Sequence, residues 1–218
     1  MLIVRNLFMK KSLLIFSIFS CICFQAQTYH FDFLTKYSST SSKTTAERVR
    51  YHNTDDFSYF LNLYKSVRDF TAILYDRKNN LMHHFSVVES KKAQDIEFSF
   101  SYSYSEKSNF QRPSNYRFEI SEISASPKIF SLKTYTSKRA KKPFSECIMT
   151  LRKANKNLMQ LYGSDAVLWN NETKDLAEIG KNIITEAREK YQNTSFDVIL
   201  KEYKNVNFQI TLPNELQF

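Results

Sequence analysis

Glycine is almost absent from this sequence: Gly163 and Gly180 are the only two among 218 residues. Loops that cradle phosphates, dinucleotide-binding fingerprints and nucleophile elbows each need two or more glycines at close, fixed spacing, because their backbone adopts positive φ angles or approaches a ligand closely. The sequence therefore excludes these three kinds of site. Its turns must instead be formed by Asn, Asp, Ser and Pro.

Long hydrophobic runs are also scarce, since the only one extends from Leu13 to Phe24. It is shorter than the roughly 20 residues that a helix needs to span a bilayer. Lys10 and Lys11 precede it and polar residues follow it, an order that is typical of a secretory signal peptide. We expect a secreted or periplasmic bacterial protein without a transmembrane span.

The signal peptide is predicted to comprise residues 1–26, with cleavage after Ala26, where a small residue is preferred. Met9 begins a segment that resembles a conventional signal start, so we expect translation to begin there. The alternative is a lipoprotein, in which Cys21 is lipidated and becomes the first mature residue. Under the first interpretation, residues 27–218 form a single β-rich domain.

Cysteine is scarce as well, and removal of the signal peptide leaves Cys147 alone. The mature chain then has no internal disulfide bond, although secretion would allow one. Cys147 alternates with Met149 and Leu151, which indicates a small buried side chain on a strand.

Aromatic residues, by contrast, are abundant, with 13 Tyr and 19 Phe. An uninterrupted alternation of aromatic residues and serines runs from Glu97 to Ser105; its aromatic members are Phe98, Phe100, Tyr102 and Tyr104. Successive side chains of a strand point to opposite faces, so this segment is predicted to be a strand with one wholly aromatic face. An antiparallel sheet with one face on a core has this pattern.

Similar alternation predicts antiparallel strands along most of the mature chain. The first is Tyr29–Tyr37, with an aromatic inner face, followed by a charged strand over Glu47–His52 that we place near a sheet edge. Glu146–Tyr162 is predicted to be a hairpin that turns at residues 154–157. Phe196–Tyr203 and Val206–Leu212 are predicted to be the last two strands.

The period of the apolar residues changes once, over Glu172–Tyr191. Five residues of this segment lie on one side of a predicted helix: Leu176, Ile179, Ile183, Ala187 and Tyr191. We therefore predict an α+β fold that is mainly antiparallel β, in which a curled β-meander of about ten strands packs on one C-terminal amphipathic helix.

Histidines and nearby carboxylates provide the candidate catalytic groups. His30 and Asp32 are two positions apart on one strand face, so the carboxylate could orient the imidazole for acid–base work in a small secreted hydrolase. A nucleophile would have to come from elsewhere in the chain, and the sequence does not indicate which residue it would be. His83 and His84 are adjacent on a predicted strand and face opposite sides, so they cannot share one metal ion. The sequence points to no complete catalytic set, no metal site and no cofactor.

Basic residues are spread along the chain, with 31 Lys and Arg against 22 Asp and Glu. The one dense cluster, called here the basic cluster, contains Lys138, Arg139, Lys141 and Lys142. A solvated loop and a patch for anionic polymers or lipid headgroups are both compatible with it. Nucleic acid is not the partner we expect.

In outline the chain resembles small secreted β-meander proteins of the bacterial envelope, a group that includes the outer-membrane lipoprotein carriers. The resemblance rests on the signal peptide, the aromatic strands and the late helix. The opening segment Tyr29–Phe33 and the closing segment Phe208–Pro213 also look like those of envelope proteins without an assigned activity. The resemblance implies a curved sheet that can hold acyl chains, and it assigns a role to no individual residue.

The aromatic faces then have two interpretations: they fill the core of a sheet packed on the helix, or a strongly bent sheet leaves part of them open as a groove. We expect a secreted, non-enzymatic envelope protein that binds an apolar ligand or a partner protein. The alternatives are a small hydrolase that uses His30 and Asp32, and anionic-polymer binding through the basic cluster.

Overall fold

The computed structural model describes residues 26–42, 44–66, 69–92, 95–108, 116–162, 179–191 and 194–218. Residues 1–25, which hold nearly all of the predicted signal peptide together with Met9 and Cys21, lie outside these ranges. So does the first part of the predicted helix, residues 172–178. No helix in the described part of the chain is long and apolar enough to cross a membrane.

Antiparallel strands make up nearly all of the described chain, and they form one sheet of eleven strands. The strands are β1 (Thr28–Thr40), β2 (Thr45–His52), β3 (Tyr59–Lys65), β4 (Phe70–Asp76), β5 (Leu81–Lys92), β6 (Asp95–Lys107), β7 (Arg117–Ala125), β8 (Lys128–Tyr135), β9 (Ser145–Lys153), β10 (Asn182–Tyr191) and β11 (Thr194–Thr211). A short 3₁₀ helix, Met159–Tyr162, is the only helical element among these residues. The prediction of an antiparallel β-sheet is confirmed.

The strands are arranged across the sheet in the order β6-β5-β4-β3-β2-β1-β11-β10-β9-β8-β7. The first and last strands of the chain therefore pair at the centre, where Thr28 lies opposite Thr211. Strands β6 and β7, which follow each other in the chain, form the two edges. The predicted edge position of Glu47–His52 is wrong, because β2 lies between β1 and β3.

The predicted C-terminal amphipathic helix is wrong, and with it the α+β class. Residues Asn182–Tyr191 form β10, which pairs with β9 and β11. A register shift between Ile184 and Glu186 marks a β-bulge, and the extra residue places Ile184 and Ala187 in the same core cluster. Ile183, which the helix prediction placed on the same side as Ala187, packs in a different core cluster, so their four-residue spacing does not mark one buried face.

Two further predictions about the C-terminal part of the chain are wrong. Phe196–Tyr203 and Val206–Leu212 are not two strands, because β11 runs without interruption over 18 residues. Strand β9 is present as predicted, but Glu146–Tyr162 is not a hairpin. Strand β9 pairs with β8 and β10, and the segment around Met159–Tyr162 is buried in the core.

A second bulge divides the aromatic residues of β1 between the two faces of the sheet. A register shift lies between Phe31 and Phe33. Tyr29 and Phe31 pack with residues of β2 to β5, whereas Phe33 and Tyr37 pack with residues of the segment Leu158–Tyr162. The predicted single aromatic face of this strand is therefore wrong, and both faces of the central strand are covered.

Candidate ligand-binding groove

The sheet curls until its edge strand β6 reaches β11. Phe100 of β6 stacks on Phe208 of β11, with ring centroids 5.8 Å apart and ring planes 7° apart. Five strands separate β6 from β11 within the sheet, so only strong curvature can bring these two rings together. The curvature creates a concave face between the two strands.

An open groove with a volume of about 1990 Å³ follows this concave face. Typical small-molecule pockets, of roughly 300–1,000 Å³, are smaller. Its aromatic lining comprises Tyr51, Phe70, Phe85, Phe98, Phe100, Tyr102 and Phe208. The lining follows β11 from Glu202 to Thr211, which corresponds to roughly 30 Å at the rise of an antiparallel strand.

Phe208 is the central ring of the groove lining. It stacks on Phe31 with a centroid distance of 4.9 Å and meets Tyr51 edge to face at 4.7 Å. Phe208, Phe98, Phe100 and Tyr102 are all only half-buried. The aromatic face of β6 is therefore neither fully packed core nor free surface, and part of each ring can still be contacted.

The carboxylate of Asp76 is buried at the end of β4 and is held by four hydrogen bonds. Tyr29 donates to Oδ2 at 2.6 Å and Gln27 at 3.1 Å, and Asn79 donates from its backbone N–H and its amide at 3.0 and 2.7 Å. Burial opposes ionisation of Asp76, but these hydrogen bonds outweigh it and lower its pKa.

The C-terminal segment that follows β11 is bonded first beside β1 and then to β6. The backbone N–H of Leu212 donates to the carbonyl of Gln27 at 2.9 Å, and the Leu212 side chain is buried. Five residues later, Gln217 bonds to β6: its carbonyl accepts from the Ser105 N–H at 2.6 Å and its N–H donates to the Tyr102 hydroxyl at 3.1 Å.

A bulge also interrupts the aromatic face of β6. Phe85 lies opposite Tyr102 but its neighbour His84 lies opposite Tyr104, so one residue is extra on β6. Tyr104 is 45% exposed and stacks on His84 with a centroid distance of 4.3 Å, and Ser105 is buried instead. The prediction that all four aromatic residues share one face is therefore wrong for Tyr104.

His83 and Ser105 form a buried polar contact behind Tyr102. The Ser105 hydroxyl lies 2.7 Å from His83 Nδ1 and 2.7 Å from the Tyr102 hydroxyl. Burial lowers the pKa of His83, so its imidazole is neutral at neutral pH. His84 lies on the other face and pairs with Glu106 at 2.8 Å, as expected for adjacent residues of a strand.

Charged residues on the groove lining occur mainly as pairs of opposite sign. Lys36 pairs with Glu47 at 2.9 Å and Lys204 with Glu202 at 3.3 Å. Lys65 pairs with Glu89. Because these charges largely neutralise each other, the lining has no strong field that would select an anion or a cation.

The basic cluster lies outside the groove, in the loop between β8 and β9. Its four side chains are exposed, and none forms an ion pair with a carboxylate of the described residues. The loop is fixed by backbone hydrogen bonds at its ends, from Ala140 to Ser137 and from Phe144 to Thr134. The cluster is a solvated loop in this structure, and its proposed affinity for anions stays a prediction.

The candidate catalytic pair is not assembled in the described part of the chain. Asp32 accepts hydrogen bonds from the backbone N–H of Thr54 at 2.8 Å and from the Thr54 hydroxyl. His30 is exposed, and only its backbone is hydrogen-bonded there, to the hydroxyl of Tyr59. This arrangement gives no support to the hydrolase hypothesis, which stays a prediction.

Two other sequence expectations concern Cys147 and metals. Cys147 is buried on β9, which confirms the prediction of a small buried side chain on a strand. Among residues 26–218 outside the undescribed gaps, no group of three or more His, Cys, Asp or Glu side chains is placed to hold a metal ion.

Sequence reasoning missed Tyr51 and Phe208 as site residues. The alternation of Val206, Phe208 and Ile210 did indicate an inward-facing strand, but no sequence signal indicates which distant strand it would meet. Searches against protein-family models and against curated proteins gave no match for this chain. The groove must therefore be interpreted from its own geometry.

Proposed function

We propose that this chain is a secreted, non-enzymatic protein of the bacterial envelope that binds an elongated, uncharged apolar ligand in the groove. The observation that carries the proposal is the partial exposure of the rings on a concave surface: Phe98, Phe100, Tyr102 and Phe208. A ligand that covers them would gain about 25 cal/mol for each Å² of apolar surface removed from water.

The shape and charge of the groove support the same class of ligand. The lining is long, because it follows β11 from Glu202 to Thr211. An elongated molecule would therefore contact more of it than a compact one. The lining has three lysines and four glutamates, and pairs such as Lys36–Glu47 and Lys204–Glu202 leave little net charge to attract an ionic ligand. A neutral apolar body fits both properties.

The resemblance to lipoprotein carriers is compatible with this proposal, because those proteins also enclose apolar chains in a curved sheet. One of its three features, the late helix, is replaced by β10. The proposal therefore depends on the groove and not on the resemblance.

Titration of the purified secreted protein with N-phenyl-1-naphthylamine, an uncharged dye that fluoresces in apolar sites, tests the proposal. Phe98→Glu places a carboxylate on the lining and is expected to weaken dye binding at least tenfold. Val88→Glu is the matched control, because Val88 lies on the adjacent strand β5, is 60% exposed and is not part of the lining.

Equal binding by the parent and Val88→Glu, together with the loss in Phe98→Glu, would support a ligand site in the groove. Absence of dye binding by the parent, or equal binding by all three proteins, would refute it. Native mass spectrometry of protein purified from its host adds a second criterion. A bound polypeptide instead of a small molecule would contradict the ligand proposal and indicate a partner-protein interface.

The basic cluster favours a second candidate function, binding of an anionic polymer. The observation behind it is that four adjacent cationic side chains are exposed without an ion pair among the described residues. This site would be independent of the groove, because it lies in the β8–β9 loop and the groove lies between β6 and β11.

A further inference from the structure

The hydroxyl of Tyr51 differs from those of the other buried tyrosines. Tyr51 is 6% exposed, and its ring is held by Phe208 and Phe31 at centroid distances of 4.7 and 6.5 Å. Its hydroxyl has no hydrogen-bond partner in the described part of the chain. Because Tyr51 lies on the groove lining, this unpaired donor lies beside the space assigned to the ligand.

The other four buried tyrosines of the described residues all donate a hydrogen bond. The pairs are Tyr29 with Asp76, Tyr37 with the Ile184 carbonyl, Tyr135 with Glu119, and Tyr162 with Glu189. Tyr102, which is half-buried on the same groove lining, is also bonded, to Gln217. The Tyr51 hydroxyl is not among the buried atoms left without a partner, so solvent reaches it, and on the groove lining it is free to bond to a bound molecule.

We infer that the Tyr51 hydroxyl donates a hydrogen bond to the ligand, and that the ligand is an amphiphile with an uncharged acceptor, such as a carbonyl or ester oxygen, within a long apolar body. The inference rests on the proposed function, because it assumes that the groove holds a ligand. It adds the position of one polar contact, which would fix the orientation of an otherwise apolar molecule.

The surroundings of Tyr51 determine which acceptor suits it. Burial, with a smaller contribution from Glu202, raises the pKa of Tyr51 to about 12, so the phenol keeps its proton and acts as a donor at neutral pH. Among the described residues no cation acts on the Tyr51 phenol, and the one charge that does is the Glu202 carboxylate, itself paired with Lys204, so no partial positive charge there favours an anionic acceptor. A neutral oxygen therefore matches the site better than a carboxylate or a phosphate.

Two naphthalene dyes of similar size separate this hydrogen bond from general apolar binding. The first, 6-propionyl-2-(dimethylamino)naphthalene, carries a ketone whose emission shifts to longer wavelength when it accepts a hydrogen bond. The second, N-phenyl-1-naphthylamine, has no carbonyl. The variant Tyr51→Phe removes only the hydroxyl, and Tyr104→Phe removes an exposed hydroxyl from a residue outside the groove lining as the matched control.

We expect Tyr51→Phe to weaken binding of the ketone dye roughly three- to tenfold, the range for one hydrogen bond. Its emission should shift to shorter wavelength, while the dissociation constant of N-phenyl-1-naphthylamine stays within about twofold. Tyr104→Phe should change neither dye. A parallel loss for both dyes would mean that Tyr51 acts only through packing, and no change for either dye would mean that its hydroxyl does not reach the ligand.

Either of those two results would overturn the inference and leave the groove proposal intact. If the parent protein binds neither dye, the proposed function fails, and the inference fails with it. The two failures are therefore distinguishable in one set of titrations.

Discussion

The backbone N–H of Ser105 donates to the carbonyl of Gln217 at 2.6 Å and ties the edge strand β6 to the C-terminal segment. Strand β6 pairs with β5 alone within the sheet. The lining residues Phe98, Phe100 and Tyr102 belong to this edge strand, so the C-terminal segment helps to hold one wall of the groove in position.

Deletion of Leu216–Phe218 should therefore destabilise the protein by about 2 kcal/mol, through loss of three hydrogen bonds to Gln217 and of the packing of Leu216. Urea denaturation measures this change. Hydrogen exchange should also show faster exchange of the Ser105 amide. Phe218→Ala is the control, because Phe218 is 78% exposed, and it should change the free energy of unfolding by less than about 0.5 kcal/mol.

Truncation of the aromatic residues of β6 should have graded effects. Phe100→Ala should cost about 2 kcal/mol, less than the roughly 3–5 kcal/mol of a fully buried phenylalanine, because the ring is half-buried. Tyr104→Ala should stay within about 1 kcal/mol, since Tyr104 is exposed and contacts His84 outside the core. Urea denaturation of both variants checks this, and equal large losses would contradict a partly open lining.

The stability of the protein should fall as the pH drops below about 6.5, because two buried histidines resist protonation. Burial lowers the pKa of His83, and burial, Arg50 and Arg77 lower that of His52. The unfolded chain binds protons in this range and the folded chain does not. Each histidine contributes a slope of up to about 1.4 kcal/mol per pH unit, and this stability is fully present above pH 6.5.

Urea denaturation between pH 5 and 8 measures this slope. The double substitution of His52 and His83 by Gln should flatten the profile, whatever it does to the absolute stability. An unchanged slope in that variant would show that other groups cause the acid sensitivity.

Neutralising the basic cluster should lower the salt concentration at which the protein elutes from heparin. The tested variant replaces by Gln the residues Lys138, Arg139, Lys141 and Lys142. The control loses the same charge at dispersed, exposed positions: Lys153, Lys181, Lys190 and Lys201. If both variants elute alike, retention reflects net charge alone, and the second candidate function is removed.

Local alternation was enough to predict most strands, because a sheet with one buried face needs apolar residues at every second position. It predicted β1, β6 and β9. It failed where a bulge inserts one extra residue and so reverses the face to which the following side chains point, near Asp32, Ser103 and Thr185. A bulge is stabilised by packing of the surrounding strands, so the residues at these positions carry no signal of their own.

The groove itself was predicted only as one of two interpretations of the aromatic residues. Its geometry depends on the contact between Phe100 and Phe208, which are joined by curvature across five strands and not by sequence proximity. The polar contact proposed at Tyr51 was equally hidden, because Tyr51 belongs to a strand predicted from its charges. What makes Tyr51 unusual is a missing partner, which only the three-dimensional structure reveals.

The pairing of β1 with β11 has a consequence for how the chain acquires its structure. Thr28 and Thr211 are opposite each other although most of the chain lies between them, so the central pair of the sheet closes a very long loop. Such closure has a high entropic cost and slows folding. The first six strands can form a meander during synthesis, but the concave face lacks Phe208 and Ile210 until β11 has been synthesised. The face between β6 and β11 can therefore form only after β11 is made, long after the strands β1 to β6 that form most of it.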